Sequence, residues 1–417
     1  MKEKEQNAAA EREPSRLRVQ RVEYWEGHPE LGVKYNFKAI RKLYRKLNIP
    51  PEYFNPAELP LESAKYFPTF SMRATGKTTD VLLLGMCFNA LYDTEIIYVR
   101  QIEEMILPKV TKDLFSVITD PEYDYIKVLT DGRYNGICYK ARRWYYCNVD
   151  DQGKIIETAP HHFMFMCSVA NANALKSGFN TNGRGDFIIF DEFINPVYMP
   201  DEWVQFCQLV KTIIRKRYSP IIFMLANTID KESTYWHELE IYDEVKAMLP
   251  GETINKTTSG GSSVCVTYVS PSLQKAKKLQ KFNKLFFGFK NKKLGSITGA
   301  DWDIKPKPHI PESSFGEVFP IIDNLYIYDH EKYVRLEIVQ HTELGICVYV
   351  HWATKVYDDS IILTTEDITD RRYKYGLGPR NLQLLLAKLI ASNKFYYASD
   401  DVGAFVSHYV NSIPPTI

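Results

Sequence analysis

The sequence predicts a mixed α/β protein, a parallel sheet wound with helices followed by a smaller α+β part, and three stretches predict it. Tyr66-Phe67-Pro68-Thr69-Phe70 runs into Ser71-Met72-Arg73-Ala74-Thr75-Gly76-Lys77-Thr78 and then Thr79-Asp80-Val81-Leu82-Leu83-Leu84, the pattern of a strand, a tight loop and a helix. Asp186-Phe187-Ile188-Ile189-Phe190-Asp191-Glu192 is an apolar run of strand length ending in two carboxylates, as in a buried parallel strand that delivers acids to its C-terminal edge. From Val318 onward several strand-like runs precede two helix-like ones, the order of an α+β domain.

The first stretch has the chemistry of a phosphate cradle. A helix start gathers unpaired backbone N–H groups and the positive end of the dipole. Gly76 allows the turn, Lys77 reaches β- and γ-phosphates, and the Thr78 hydroxyl ligates Mg²⁺. Residues Ser71 to Thr79, including Met72, Arg73, Ala74 and Thr75, are therefore the candidate ATP-binding loop. Ser71 stands where G-x-x-x-x-G-K-[ST] has its first glycine. At the second stretch Asp191 would hold the Mg²⁺ through water and Glu192 would polarise the attacking water. Alone, each stretch is also consistent with an unremarkable turn or core strand. Together, with room between them for βα units, they predict an additional-strand P-loop ATPase.

Bulk properties exclude several classes. At 417 residues the chain has room for two or three domains, and a formal net charge of +1 provides no global attraction to nucleic acid. Seven cysteines show no C-x-x-C spacing, which predicts buried thiols in a reducing compartment and neither a zinc site nor a disulfide frame. The charged start Met1-Lys2-Glu3-Lys4-Glu5 does not read as a signal peptide, and no run has the length of a membrane span. These features predict a cytosolic protein without membrane contact.

In order, residues 1–52 read as a basic N-terminal arm. Ala8–Glu13 favours helix up to Pro14, and Phe37–Leu47 places basic residues around an apolar stripe of Ile40, Leu43, Tyr44 and Leu47. That second helix is either a surface helix packed on the ATPase domain or a docking arm for a partner or nucleic acid. Residues 53–229 read as the ATPase domain. A strand at Glu95–Arg100 and a helix at Gln101–Ile118 precede hairpins marked by Asp131-Gly132 and Asn135-Gly136. A strand through His161, Phe163, Phe165 and Cys167 follows. Beyond the Asp191 strand come a helix at Trp203–Ile214, closed by Arg215-Lys216-Arg217, and a buried strand at Ile221–Thr228. Residues 230–317 read as a linker or lid, with Thr257–Ser263 a hinge or disordered loop. Leu273–Leu285 reads as a lysine-rich helix, either a solvated face or a contact to DNA or a neighbouring subunit. Residues 318–417 form the last domain.

From Tyr53-Phe54-Asn55-Pro56 through the C-terminal part, the sequence resembles the genome-packaging ATPases of the phi-twenty-nine-like small tailed phages. The resemblance is carried by Met72–Lys77, Ile97-Tyr98-Val99-Arg100, Ile189-Phe190-Asp191-Glu192-Phe193 and Ile362–Asp367. It implies a homo-oligomeric ring, a pentamer, that meets the phage portal and drives double-stranded DNA into an empty capsid at the expense of ATP. It implies a ribonuclease-H-like last domain with a vestigial nuclease centre, and a location in the host cytoplasm and transiently at the portal vertex of the prohead. By the same resemblance Arg215 is an arginine finger acting in trans and Asn227 a γ-phosphate sensor. Lys176 and Arg100 fall at interface positions, Arg73 and Arg100 near the nucleotide. Some relatives tie the ring to the portal with a structural RNA, and here the extra arm is expected to make that attachment directly.

A two-metal nuclease needs several converging carboxylates. Gly345–Val350 offers none, and Asp358, Asp359, Asp400 and Asp401 read as turn and helix-start residues, so nuclease activity is not expected. The competing functions are a terminase or helicase-like motor with an active nuclease, and a nucleotide-gated structural ring component without turnover.

Overall fold

Apolar runs rich in β-branched and aromatic residues become the central strands of the first of two compact units. The computed structural model describes residues 22–71, 75–111, 113–175, 184–194, 199, 201–227, 233–270, 315–329 and 332–413, with isolated positions at 277–278, 281–282, 284–286, 308 and 310. Met72, Arg73, Ala74, Lys176, the stretch Ala8–Glu13 and most of Leu273–Leu285 lie outside the described residues. The first unit comprises residues 1–195, 204–228 and 243–301, the second residues 196–203, 229–242 and 302–417.

In the first unit a short ribbon of β1 (Glu23–Tyr24) and β2 (Val33–Lys34) precedes the main sheet. The sheet is built from β3 (Tyr66–Ser71), β4 (Ile96–Arg100), β5 (Gly136–Lys140), β6 (Arg143–Val149), β7 (Ile155–Thr158), β8 (Met164–Ser168), β9 (Phe187–Asp191), β10 (Ile221–Asn227), β11 (Thr253–Thr257) and β12 (Ser263–Val269). Among the described residues the order is β11-β12-β3-β10-β9-β4-β8-β6-β5, with β7 on β6. Strands β12, β3, β10, β9, β4 and β8 are mutually parallel, and the outer strands are antiparallel. Strand β10 thus lies between β3, which leads into the glycine loop, and β9, which ends in the acids.

Helix α1 (Phe37–Lys46) is capped by Asn36, whose Oδ1 accepts from the Ala39 N–H at 3.1 Å. It packs Ile40, Leu43 and Tyr44 into the core of this unit, and Arg41 is held by Glu62 and by the carbonyl of Ala57 at 2.8 Å. The basic stretch is therefore a helix seated on the first unit, with Lys38, Lys42, Arg45 and Lys46 exposed. Helix α2 (Lys77–Tyr92) is apolar on all sides and buried from Asp80 to Leu91, as required of a helix covered by sheet and neighbouring helices. At Gly85 a Cβ would come within 2.9 Å of the Ile96 and Phe187 side chains, so glycine allows this close helix–sheet approach.

Four expectations are corrected. Gln101–Ile118 is not one helix, because Leu107 is extended before Pro108 and separates a 3₁₀ turn at Glu103–Ile106 from a short helix at Pro108–Thr111. Asp131-Gly132 is no hairpin turn. Both residues have positive φ (55° and 74°) and close the helix Tyr125–Thr130, with the Gly132 N–H donating to the Lys127 carbonyl at 2.7 Å. The hairpin turn lies instead at Ala141-Arg142, with φ of 50° and 64°, while Gly136 begins β5. Thr257–Ser263 is the ordered turn between β11 and β12, with Gly261 at φ 87°, so residues 253–269 extend the main sheet and are not a linker.

The second unit contains β13 (Val318–Asp329), β14 (Lys332–His341), β15 (Gly345–Trp352), β16 (Ile361–Thr364), β17 (Tyr373–Tyr375) and β18 (Phe395–Tyr397), ordered β17-β16-β13-β14-β15-β18. Strands β13, β14 and β15 form an antiparallel meander, to which β16 adds in parallel on β13, β17 on β16 and β18 on β15. Helices Arg380–Ala391 and Asp400–Ser412 bury Leu386 and Tyr409 in its core. Helix α3 (Glu202–Ile214) begins in this unit and runs on into the first, and helix α4 (Thr234–Glu238) belongs to the second.

Candidate nucleotide site

The C-terminal ends of β3, β10, β9 and β4 bring the candidate residues to one edge of the sheet. Gly76, at φ 87°, precedes α2, and a Cβ there would sit 2.6 Å from the Tyr53 ring and 2.7 Å from the Asp80 carboxylate. Only glycine accepts both that backbone and that crowding. Lys77 opens the helix and turns inward, where its Nζ donates to Ser71 Oγ at 2.6 Å and to Asn227 Oδ1 at 3.3 Å. Ser71 and Asn227 are register partners at the ends of the parallel strands β3 and β10, which is why residues 156 positions apart in sequence can share one ammonium. Ser71 Oγ also lies 2.6 Å from Thr75 Oγ1. Burial lowers the Lys77 pKa to about 8, against the opposing pull of Asp191 and Glu192.

Asp191 is 5% exposed and divides its oxygens. Oδ1 accepts from Thr78 Oγ1 at 3.2 Å and from the Glu192 N–H at 3.1 Å. Oδ2 accepts from the Tyr98 hydroxyl at 2.5 Å and from Arg100 Nη1 at 3.0 Å. Arg100 then donates from Nη2 to Glu192 Oε2 at 2.6 Å. Glu192 sits at φ 52°, a position uncommon for a residue with a side chain. Tyr98 and Arg100 face the same acids because side chains two positions apart on β4 share a face.

Thr78 and Asp191 present two hard oxygen donors beside a helix N-terminus, a pair that fits a cation completing its shell with water and phosphate. No group of three His, Cys, Asp or Glu able to hold a metal occurs among the described residues, so phosphate and water must supply most of such a shell.

The structure thus brings together Ser71, Thr75, Gly76, Lys77, Thr78, Asp191, Glu192, Asn227 and Arg100; Thr79 follows on the first turn of α2. Arg100 contacts the acids of its own chain, a contact its interface assignment did not include. Arg215 is placed elsewhere. It follows α3 at φ 52°, exposed, and its neighbour Arg217 is buried against Asp186 at 2.6 Å, at the start of β9. The five residues of β9 span about 16 Å, so Arg215 lies near the opposite edge of the sheet from Lys77. Two site residues had no role assigned from sequence. Tyr98 was legible only as the i−2 neighbour of Arg100 on a strand, and Tyr53 packs on Gly76 from a loop before β3.

A glycine turn and helix start after β3, acids at the end of β9 and the parallel strand β10 between them set the candidate site on a mixed α/β fold with a parallel sheet. Among solved structures this chain is similar to "The Phi-28 gp11 DNA packaging Motor", with a TM-score of 0.57 and 17% identity over 88% of this chain and 100% of that one. It is also similar to "The bacteriophage Phi-29 viral genome packaging motor assembly", with a TM-score of 0.48 and 14% identity over 87% and 99% of the two chains. The large terminase ATPase domain of Thermus phage P74-26 aligns at a TM-score of 0.34 and 11% identity, over 68% and 100%. At 17% identity the first of these shows a shared fold. No family model matches the chain, and no curated protein matches it.

Proposed function

We propose that this chain is an ATP-hydrolysing subunit of a ring, a pentamer, that moves double-stranded DNA into a viral capsid through the portal. The observation that carries the reading is the convergence of Lys77 and Thr78 with Asp191 and Glu192 at the N-terminus of α2. Backbone N–H groups there and the Lys77 ammonium bind the triphosphate. Mg²⁺, held by Thr78 and through water by Asp191, would supply charge neutralisation on the β- and γ-phosphates. Glu192, its carboxylate held by Arg100, orients the attacking water and accepts its proton. Asn227, already bonded to Lys77, is positioned to sense the γ-phosphate. Because Arg215 stands about a strand length from its own loop, the arginine-finger role belongs to a neighbouring site in the ring; Lys176 is assigned to the same interface.

Connectivity supports the coupling of hydrolysis to movement. Shortly after Glu192 and again after Asn227 the chain enters the second unit, at residues 196–203 and 229–242. There the Tyr235 hydroxyl donates to Glu202 Oε1 at 2.5 Å and the Trp203 ring meets Tyr235 edge-on. The order of β13 to β17, a three-stranded meander with two strands added in parallel on its first, supports a ribonuclease-H-like reading of this unit. We assign it DNA contact or assembly and no cleavage. Duplex contacts would be made to phosphates, largely indifferent to sequence. The N-terminal arm, with the exposed basic face of α1, is assigned to portal attachment, made directly or together with a structural RNA, in the host cytoplasm at the prohead vertex.

The test is ATP hydrolysis with and without duplex DNA, together with packaging into purified proheads. Hydrolysis stimulated by DNA and abolished by Lys77→Ala is expected. Binding without turnover would favour a nucleotide-gated structural component, and cleavage of linear DNA would favour a terminase with an active nuclease.

A further inference from the structure

The Asp191 carboxylate is held from two sides. Thr78 and the Glu192 N–H occupy Oδ1, on the side of the phosphate loop, and β4 occupies Oδ2. Tyr98 lies within β4, between β8 and β9, and is 2% exposed. A phenol hydroxyl buried that deeply is costly unless bonded, and at 2.5 Å from Oδ2 its acceptor is the carboxylate. A phenylalanine would fill the same space, so the hydroxyl contributes direction and not packing.

We propose that Tyr98 is a positioning residue for the cation site: by donating to Oδ2 it fixes the rotation of the Asp191 carboxylate and keeps Oδ1 turned toward Thr78. Arg100 reaches the same oxygen but is also committed to Glu192, so it cannot fix the two acids independently. Tyr98 donates to Asp191, so its effect falls on the cation and not on the attacking water. Partners of this kind typically change metal affinity by 10–100-fold. The inference rests on the nucleotide-site reading above.

The experiment uses the full chain and the fluorescence of a ribose-labelled ATP analogue, titrated with MgCl₂. In Tyr98→Phe the Mg²⁺ concentration at half-saturation should rise about tenfold, while analogue binding in EDTA stays as in the unaltered protein. In an Asp191→Asn background, Tyr98→Phe should add no further shift. An unchanged Mg²⁺ midpoint in Tyr98→Phe, or an equal shift in both backgrounds, overturns the proposal. Loss of analogue binding in EDTA as well would mean that the hydroxyl supports the whole pocket, and overturns it too. If the unaltered protein binds no analogue at any Mg²⁺ concentration, the nucleotide site itself fails, a result distinct from the others.

Discussion

Arg100 Nη2 lies 2.6 Å from Glu192 Oε2, although 92 positions separate the two residues in the chain. Adjacent parallel strands make this contact possible: β4 and β9 pair in register, and both end at the same edge. The guanidinium is 13% exposed and bonds both acids, so it sets where the Glu192 carboxylate stands relative to Asp191. Arg100→Gln keeps a donor but loses the fork. Misplacing a catalytic group by about 1 Å costs roughly 10²-fold in rate, and a kcat loss of that order is expected with nucleotide affinity within about threefold. Single-turnover hydrolysis and analogue binding measure the two separately. An unchanged kcat would remove Arg100 from the mechanism.

Under the proposed function, Lys77 imposes a pH limit on nucleotide affinity. Its pKa falls from 10.5 to about 8 because burial disfavours the ammonium. Binding needs the charged form, so affinity should decline as pH rises through about 8, approaching tenfold per pH unit beyond it. Stability changes the other way. Between about 8 and 10.5 the unfolded chain holds the Lys77 proton more tightly than the folded one, so this group's contribution to stability rises with pH over that window. Analogue binding and urea unfolding across pH 7–10 would show the opposed trends, and parallel trends would refute the assignment.

Arg215 and Arg217 should separate cleanly. Arg217 is 6% exposed and pairs with Asp186, which is itself held by Ser219 and by Tyr35 at 3.0 Å. Arg217→Ala strands a buried carboxylate and should cost about 3–5 kcal/mol in urea unfolding. Arg215→Ala, at an exposed site, should change stability by less than about 0.5 kcal/mol yet stop turnover. Mixing Arg215→Ala with Glu192→Gln subunits should restore some hydrolysis, and no rescue at any ratio would exclude action across an interface.

Tyr235→Phe removes the donor to Glu202 without emptying the space its ring fills. Basal hydrolysis should persist while base pairs packaged per ATP fall severalfold. Equal coupling ratios in variant and unaltered motors would show that this contact carries no part of the transmission.

Much of the candidate site is legible in the local sequence. Ser71 to Thr79 and Asp186 to Glu192 are local patterns, in which loop, helix start, strand and acids lie within a few residues of one another and carry their own period and chemistry. The hairpin turn was not legible, since Ala141-Arg142 holds two positive φ values without glycine or asparagine, whereas the break at Leu107 was signalled by Pro108 itself.

Residue chemistry by itself determined the Gly76-Lys77-Thr78 helix start after one strand and the Asp191-Glu192 pair at the end of another, because short-range spacing and hydropathy encode both. Only the tertiary structure decided that Ser71 and Asn227 share the Lys77 ammonium, that Tyr98 and Arg100 hold the acids from β4, and that Arg215 stands at the far edge. The physical reason is that strand order and register set which side chains meet across a sheet. These follow from burying distant apolar segments against one another, and no local pattern records them.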